Sequence, residues 1–113
     1  MVDFSLKQGN TSPGIRSQLQ DDDESAVDIT GFNEVTFRMR AADGTVIVES
    51  NESTGAVTVV NAVDGIVTYE WQPGDTDIPA MYEAEWIVEF SDGSEETFPN
   101  NDWIYVKIFE SIA

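Results

Sequence analysis

The sequence predicts an all-β protein that folds as an antiparallel β-sandwich. Large apolar side chains alternate with polar ones between Met81 and Phe90, which is the period of a strand with one buried face. Turn-forming residues are concentrated at residues 73–77 and 91–93, on either side of that strand. Short alternating segments recur along the chain at the spacing of a sandwich. Residues 1–113 are therefore expected to form one domain, which is large enough to bury its own core.

The predicted strands follow one another through short turns, and no helix is expected. They lie at residues 2–7, 14–20, 26–30, 34–40, 45–50, 55–62, 66–71, 81–90 and 102–109. In the short segment 26–30, we expect Val27 and Ile29 to point inward. The residues expected to be buried together are Phe37, Tyr69, Trp71, Tyr82, Trp86 and Phe90.

The last predicted strand carries apolar residues on both faces. Trp103, Tyr105 and Phe109 alternate with Ile104, Val106 and Ile108. Only one of these rows can fill a sandwich core, so the other row needs a different cover, either a loop of the same chain or another subunit. Residues 78–81 form a second apolar element in a loop. We predict an interface with another protein through Ile78, Pro79, Met81, Ile104, Val106 and Ile108.

The chain is strongly acidic, with 22 Asp and Glu against 5 Lys and Arg and a formal net charge of −17. Because 41% of its residues are hydrophobic, it is not a disordered acidic tail. Repulsion at this charge density destabilises a compact state in dilute salt, whereas molar salt, with a Debye length of about 3 Å, removes most of that penalty. We therefore expect a protein of an extreme halophile, with an ordinary acidic protein as the alternative.

The residue inventory argues against an enzyme. The chain has no Cys and no His, so disulfides, thiolate metal sites and His-based triads are all excluded. We predict no catalytic residue and no organic cofactor. No apolar run approaches the roughly 20 residues that cross a bilayer, and the first ten residues lack the pattern of a signal peptide, so we expect no membrane contact.

Two acidic loops are candidate cation sites. Their carboxylates are the hard oxygen ligands that Ca²⁺ and Mg²⁺ prefer, and Na⁺ or K⁺ is a further possibility. The candidate ligands are Asp21, Asp22, Asp23 and Glu24 in one loop, and Asp75 and Asp77 in the other. Their spacing does not match an EF-hand loop, and a solvated acidic surface is the alternative interpretation.

Charge and aromatic content leave two further binding classes open. The phosphate backbone of a nucleic acid would be repelled, so we expect no nucleic-acid partner. An acidic inhibitor that mimics DNA remains an alternative. Trp71, Trp86 and Trp103 could form a sugar-binding platform, although their alternation with other apolar residues favours core packing.

A set of short motifs resembles a known family over nearly the whole chain. They include V-x-Y-x-W at residues 67–71, G-D-T at 74–76, Y-x-A-E at 82–85, S-D-G at 91–93 and T-F-P-N at 97–100. Upstream, F-x-L-K-x-G at 4–9, T-S-P at 11–13, V-D-I-T-G at 27–31 and V-T-F-R-M-R at 35–40 continue the series. In order and spacing they resemble the immunoglobulin-like N-terminal domain of phage baseplate upper proteins.

The resemblance implies an immunoglobulin-like β-sandwich with a structural role in a virion. Together with the charge, it predicts a non-enzymatic component of a tailed virus of a halophilic archaeon, in the tail or baseplate, the neck or the head surface. We expect its partners to be other virion proteins, with several copies or a homo-oligomer in the assembly. An acidic DNA-mimic inhibitor and a carbohydrate-binding adhesion module are the alternatives.

Overall fold

A computed structural model describes residues 2–99 and 102–112, which are built almost entirely of β-strands. The strands are β1 (Phe4–Lys7), β2 (Ile15–Gln18), β3 (Glu34–Arg40), β4 (Val46–Asn51), β5 (Val57–Asn61), β6 (Ile66–Tyr69), β7 (Ala80–Glu89), β8 (Glu95–Phe98) and β9 (Ile104–Phe109). Across these two ranges, the helical structure is limited to one 3-10 turn at Glu52–Thr54. The prediction of an all-β chain is confirmed.

Two sheets pack face to face as a β-sandwich. The larger sheet has the order β1-β9-β7-β3-β4, and the smaller has the order β2-β6-β5. Strand β7 is the centre of the larger sheet: β3 pairs along one edge, while β9 and β8 pair with its first and second halves on the other. The named strand pairs are antiparallel except for β1 and β9, which are parallel because both run toward the end of the sheet where β7 begins.

One predicted strand is absent, and one observed strand was not predicted. Residues 26–30 are not a strand: Val27 N donates to Leu19 O and Ile29 N donates to Ala62 O, so the segment is bonded to two different neighbours and forms no continuous ladder. Ile29 is nevertheless buried, as predicted, and Val27 is half-buried. Strand β8 was not predicted, because its two consecutive glutamates obscure the alternation of a short edge strand.

The core is a cluster of aromatic residues between the sheets. Phe37 stacks on Tyr69 with ring centroids 4.6 Å apart, and Trp71 meets Tyr69 edge-on at 5.3 Å. Trp86 is fully buried, and its Nε1 donates to Ser17 Oγ at 3.0 Å, which links the two sheets. The predicted core is confirmed, except that Phe90 is half-buried at its margin.

Candidate interaction surface

The loop from residue 70 to residue 79 is held rigidly against the sandwich. Tyr69 Oη donates to Asp75 Oδ2 at 2.5 Å, and Gln72 N donates to the same oxygen at 2.8 Å. Burial raises the pKa of Tyr69, and the hydrogen bond to Asp75 and its negative charge raise it further, so the phenol stays protonated and acts as donor. The hydroxyl of buried Thr76 donates to Asn10 O at 2.9 Å and ties the loop to the segment after β1.

Ile78 is presented to solvent by this rigid loop. On one side, Gln8 Nε2 donates to Asp77 O at 2.8 Å; on the other, Tyr82 Oη donates to Ile78 O at 2.6 Å. The backbone around Ile78 is therefore fixed, yet 69% of the residue is exposed. An apolar side chain on a fixed backbone loses little conformational entropy when it binds, which is a property of good contact residues.

A groove of about 480 Å³ lies beside Ile78 at the end of the larger sheet where β7 begins. We call it the end groove; its principal lining residues are Ala41, Asp43, Ile47, Asp75, Ile78 and Ala80. Ile47 reaches the groove because of a register shift: Met39 pairs with Val48 and Arg40 with Val46, so Ile47 is an unpaired bulge residue. The carboxylates of Asp43 and Asp75 thus lie at the edge of an apolar floor.

One of those carboxylates is fixed by its own turn. Thr45 N donates to Asp43 Oδ1 at 2.9 Å, and this backbone hydrogen bond lowers the pKa of Asp43. Asp43 is therefore ionised at neutral pH and places a negative charge at the edge of the end groove.

The structure corrects half of the predicted interface. Val106 and Ile108 are fully buried in the core of their own chain, and Ile104 packs against that core. The reason is the pairing of β9 with β7, which sets Val106 opposite Tyr82 and Ile108 opposite Ala80 on the inner face. The prediction that this row faces a partner is wrong. The remaining predicted residues are at the surface: Ile78 and Met81 are exposed and Pro79 is half-buried.

The outward row of β9 forms a second surface. Phe109 is 45% exposed, and the Nζ of Lys107 lies 5.6 Å from the centre of its ring. Lys7 pairs with Phe109 across the parallel β1–β9 ladder, and Met81 pairs with Lys107. We call Lys7, Met81, Lys107 and Phe109 the lysine–phenylalanine patch; it contains both lysines of the chain. Sequence reasoning missed this patch because Lys7 and Phe109 lie 102 positions apart in the chain.

Two of the three outward carboxylates of β7, those of Glu83 and Glu85, lie beside arginines. Arg40 Nη2 lies 2.9 Å from Glu83 Oε1, and Arg38 lies 2.7 Å from Glu49 and 3.7 Å from Glu85. Such exposed pairs contribute little to stability. Glu89 has no arginine partner among the described residues; it lies between Glu34 and Glu95 across the sheet and accepts from Asn33 Nδ2. The arginines therefore neutralise only part of this acidic row.

The candidate cation ligands do not converge. In the part of the chain that the structure describes, no group of three or more acidic side chains is arranged to hold a metal ion. Asp21 Oδ1 instead accepts from Asp23 N and Ser25 N and closes its own turn, and Asp75 is bonded to Tyr69 and Gln72. The other candidates, Asp22, Asp23, Glu24 and Asp77, are exposed.

The three tryptophans do not form a platform. Trp71 and Trp86 are buried in the core, whereas Trp103 is on the outer face of the larger sheet. The guanidinium of Arg40 lies over the Trp103 ring, 5.1 Å from its centre, so a cation already covers this indole.

Comparison with known proteins bears on the fold alone. No protein-family model matches the chain. No curated protein shows significant similarity to it. Among solved structures, the chain is similar to CopC from Methylosinus trichosporium OB3b, with a TM-score of 0.56 and 9% identity over 100% of this chain and 89% of that one. Within residues 2–99 and 102–112, no helix is long and apolar enough to span a membrane.

Proposed function

We propose that this protein is a non-enzymatic structural component of a tailed-virus particle and acts through protein–protein contacts. Its place would be the tail or baseplate, the neck or the head surface. The observation that carries the proposal is the exposed Ile78, which a network of hydrogen bonds fixes at the rim of the end groove. The sequence motifs that resemble the baseplate upper protein family supply the virion context.

The distribution of apolar surface supports a role in contact. Single exposed apolar residues are ordinary on any protein, but Ile47 and Ile78 line one groove and lie on an otherwise highly charged surface. A rigid sandwich with one apolar end suits a module that is mounted on a larger assembly, because a surface that is already ordered loses little conformational entropy when the contact forms.

The acidic surface supports a halophilic host. A net charge of −17 on 113 residues keeps the chain soluble where salt screens its repulsion. We propose that the particle belongs to a virus of a halophilic archaeon, in which the acidic faces meet brine while the end groove meets a neighbouring protein.

The test is the composition and structure of purified particles. Mass spectrometry is expected to find the chain in virions, and cryo-electron microscopy should place its sandwich with the end groove against another subunit. Ile78→Glu should reduce incorporation at least about tenfold, since a buried unpaired charge costs several kcal/mol. Val63→Glu is the matched control, because Val63 is 61% exposed and lies in the β5–β6 turn, away from the groove.

If infected cells make the chain but purified particles lack it, the proposed virion role is wrong.

A further inference from the structure

The end groove and the lysine–phenylalanine patch lie at the same end of the larger sheet. Ala80 and Met81 are consecutive at the start of β7 and point to opposite faces. Ala80 lines the end groove, whereas Met81 sits opposite Lys107 in the patch. The two surfaces are therefore separated by the thickness of one sheet.

Their chemistries are complementary. The end groove is apolar and is bounded by Asp43 and Asp75, with exposed Asp77 next to Ile78. The patch is an exposed aromatic ring with the ammonium group of Lys107 over it and with Lys7 at the paired position of the neighbouring strand. An apolar hollow with an acidic rim on one surface thus matches an apolar projection with a basic rim on the other.

The charge of the whole chain restricts which surfaces of two copies can meet. With 22 acidic and 5 basic residues, most pairings of surface would place carboxylates against carboxylates. Three of the basic residues are arginines, and Arg38 and Arg40 are occupied by glutamates of their own sheet. Both lysines flank Phe109 and form no salt bridge within the described residues. Arg16 also forms no salt bridge within the described residues, but it lies on β2 in the smaller sheet, so the two lysines are the free cations of the larger sheet.

From this we infer that the partner of the end groove is a second copy of this chain, whose lysine–phenylalanine patch seats against the groove. The inference rests on the proposed function, contact through the end groove, and names the partner. Because both surfaces are at one end of the molecule, a two-fold arrangement lets each copy offer its patch to the groove of the other. Phe109 and Met81 then bury their exposed area, and Lys7 and Lys107 approach Asp43 and Asp77.

The association of two copies depends on the salt concentration. Two chains of −17 repel each other at long range in dilute buffer, and a Debye length of about 3 Å in molar salt removes that repulsion. Pairs in direct contact are screened less, and apolar burial is not weakened by KCl. Association is therefore expected in molar KCl and is expected to weaken on dilution of the salt.

The first measurement is sedimentation velocity of the full chain in about 2 M KCl. The chain should associate, and Phe109→Ser and Ile78→Ser should each weaken association at least about tenfold, because each removes apolar area from the contact. Val63→Ser, at an exposed valine outside both surfaces, should leave it unchanged. A chain at about 100 µM that stays monomeric both in dilute buffer and in molar KCl overturns the inference.

Charge reversal then identifies the two surfaces as partners. Lys7→Glu with Lys107→Glu makes both surfaces acidic, and Asp43→Lys with Asp77→Lys makes both basic. At the lowest salt in which the native chain associates, each double variant alone should be monomeric, and an equimolar mixture should associate again. Recovery in the mixture also shows that both variants are folded.

The outcomes separate this inference from the proposed function. A mixture that stays monomeric, while circular dichroism shows both variants folded, overturns the second-copy contact and leaves the virion role standing. Self-association of a chain that is absent from purified particles would overturn the virion role and leave the second-copy contact standing.

Discussion

Tyr69 serves the core and the interaction surface at once. Its ring stacks on Phe37 between the sheets, while its hydroxyl holds Asp75 and with it the loop that presents Ile78. The residue is almost completely buried, so its hydroxyl must have a partner. The same side chain therefore couples the packing of the sandwich to the shape of the end groove.

Replacing Tyr69 by Phe should lower the free energy of unfolding by about 1–3 kcal/mol at neutral pH, because Asp75 loses its charge-assisted partner. The native chain should also lose stability at alkaline pH. Since the folded-state pKa of Tyr69 is raised, its contribution is complete below the ordinary value of 10.0 and declines as the pH rises above it, where the unfolded chain ionises first.

Denaturant unfolding between about pH 8 and pH 11 in molar salt measures both effects. The free energy of unfolding of Tyr69→Phe should fall less steeply with rising pH than that of the native chain. Tyr105→Phe is the comparison variant: burial and the charges of Asp102 and Glu83 also raise the pKa of Tyr105, but its hydroxyl makes only a long, exposed contact with Asp102, so its replacement should change the slope less. Identical alkaline slopes for the native chain and Tyr69→Phe would contradict this account.

The β5–β6 turn shows how an element depends on its neighbours. Gly65 adopts φ of +65°, and a Cβ at this position would lie 2.5 Å from Val27 O. Leu19 N donates to Gly65 O and Leu19 O accepts from Val27 N, so the turn, β2 and the segment 26–30 are in close backbone contact. The absence of a side chain at Gly65 permits this approach.

Gly65→Ala should cost about 2–4 kcal/mol of stability, since it combines strain at a positive φ with a clash against a backbone carbonyl. Gly93→Ala is the matched control: it also has positive φ, but no atom lies within 4 Å of its added Cβ, so a cost of about 1 kcal/mol is expected. Thermal or denaturant unfolding of both variants in molar salt gives the comparison. Equal costs would show that the contact with Val27 does not matter.

At the scale of the whole molecule, the dominant feature is net charge. The acids are distributed over nearly all segments, and the described salt bridges engage only Arg38 and Arg40. The remaining carboxylates repel one another in the folded state more than in the expanded unfolded chain.

The melting temperature should therefore rise by at least about 10 °C between about 0.1 M and about 3 M KCl, as screening removes this repulsion. A variant with Asp21, Asp22 and Asp23 changed to Asn and Glu24 to Gln should show a smaller rise. A melting temperature that does not depend on KCl contradicts the halophilic interpretation. A rise produced by millimolar Ca²⁺ alone would instead indicate a specific cation site at Asp21–Glu24 or at Asp75 and Asp77.

The sequence by itself determined the fold class, the aromatic core and the acidic surface. The alternation of apolar and polar residues along a strand is a local pattern. For this reason β3 was predicted with its observed bounds, and the inward residues of β7 were identified without knowledge of the strands that pair with it. It also singled out residues 78–81 as an apolar element, although Ala80 and Met81 belong to β7 and only Ile78 and Pro79 lie in the loop. These features follow from neighbouring residues in the chain, whose effect on backbone conformation is local.

Tertiary structure alone decided which row of β9 is inside. Both rows are apolar, so the local pattern is symmetrical; the register with β7 places Val106 and Ile108 in the core and leaves Trp103 and Phe109 outside. The parallel pairing of β1 with β9, which brings Lys7 to Phe109, was equally beyond local reasoning. Strand register and pairing are set by the burial of residues far apart in the chain, and that selection takes place only when the two sheets close on a common core.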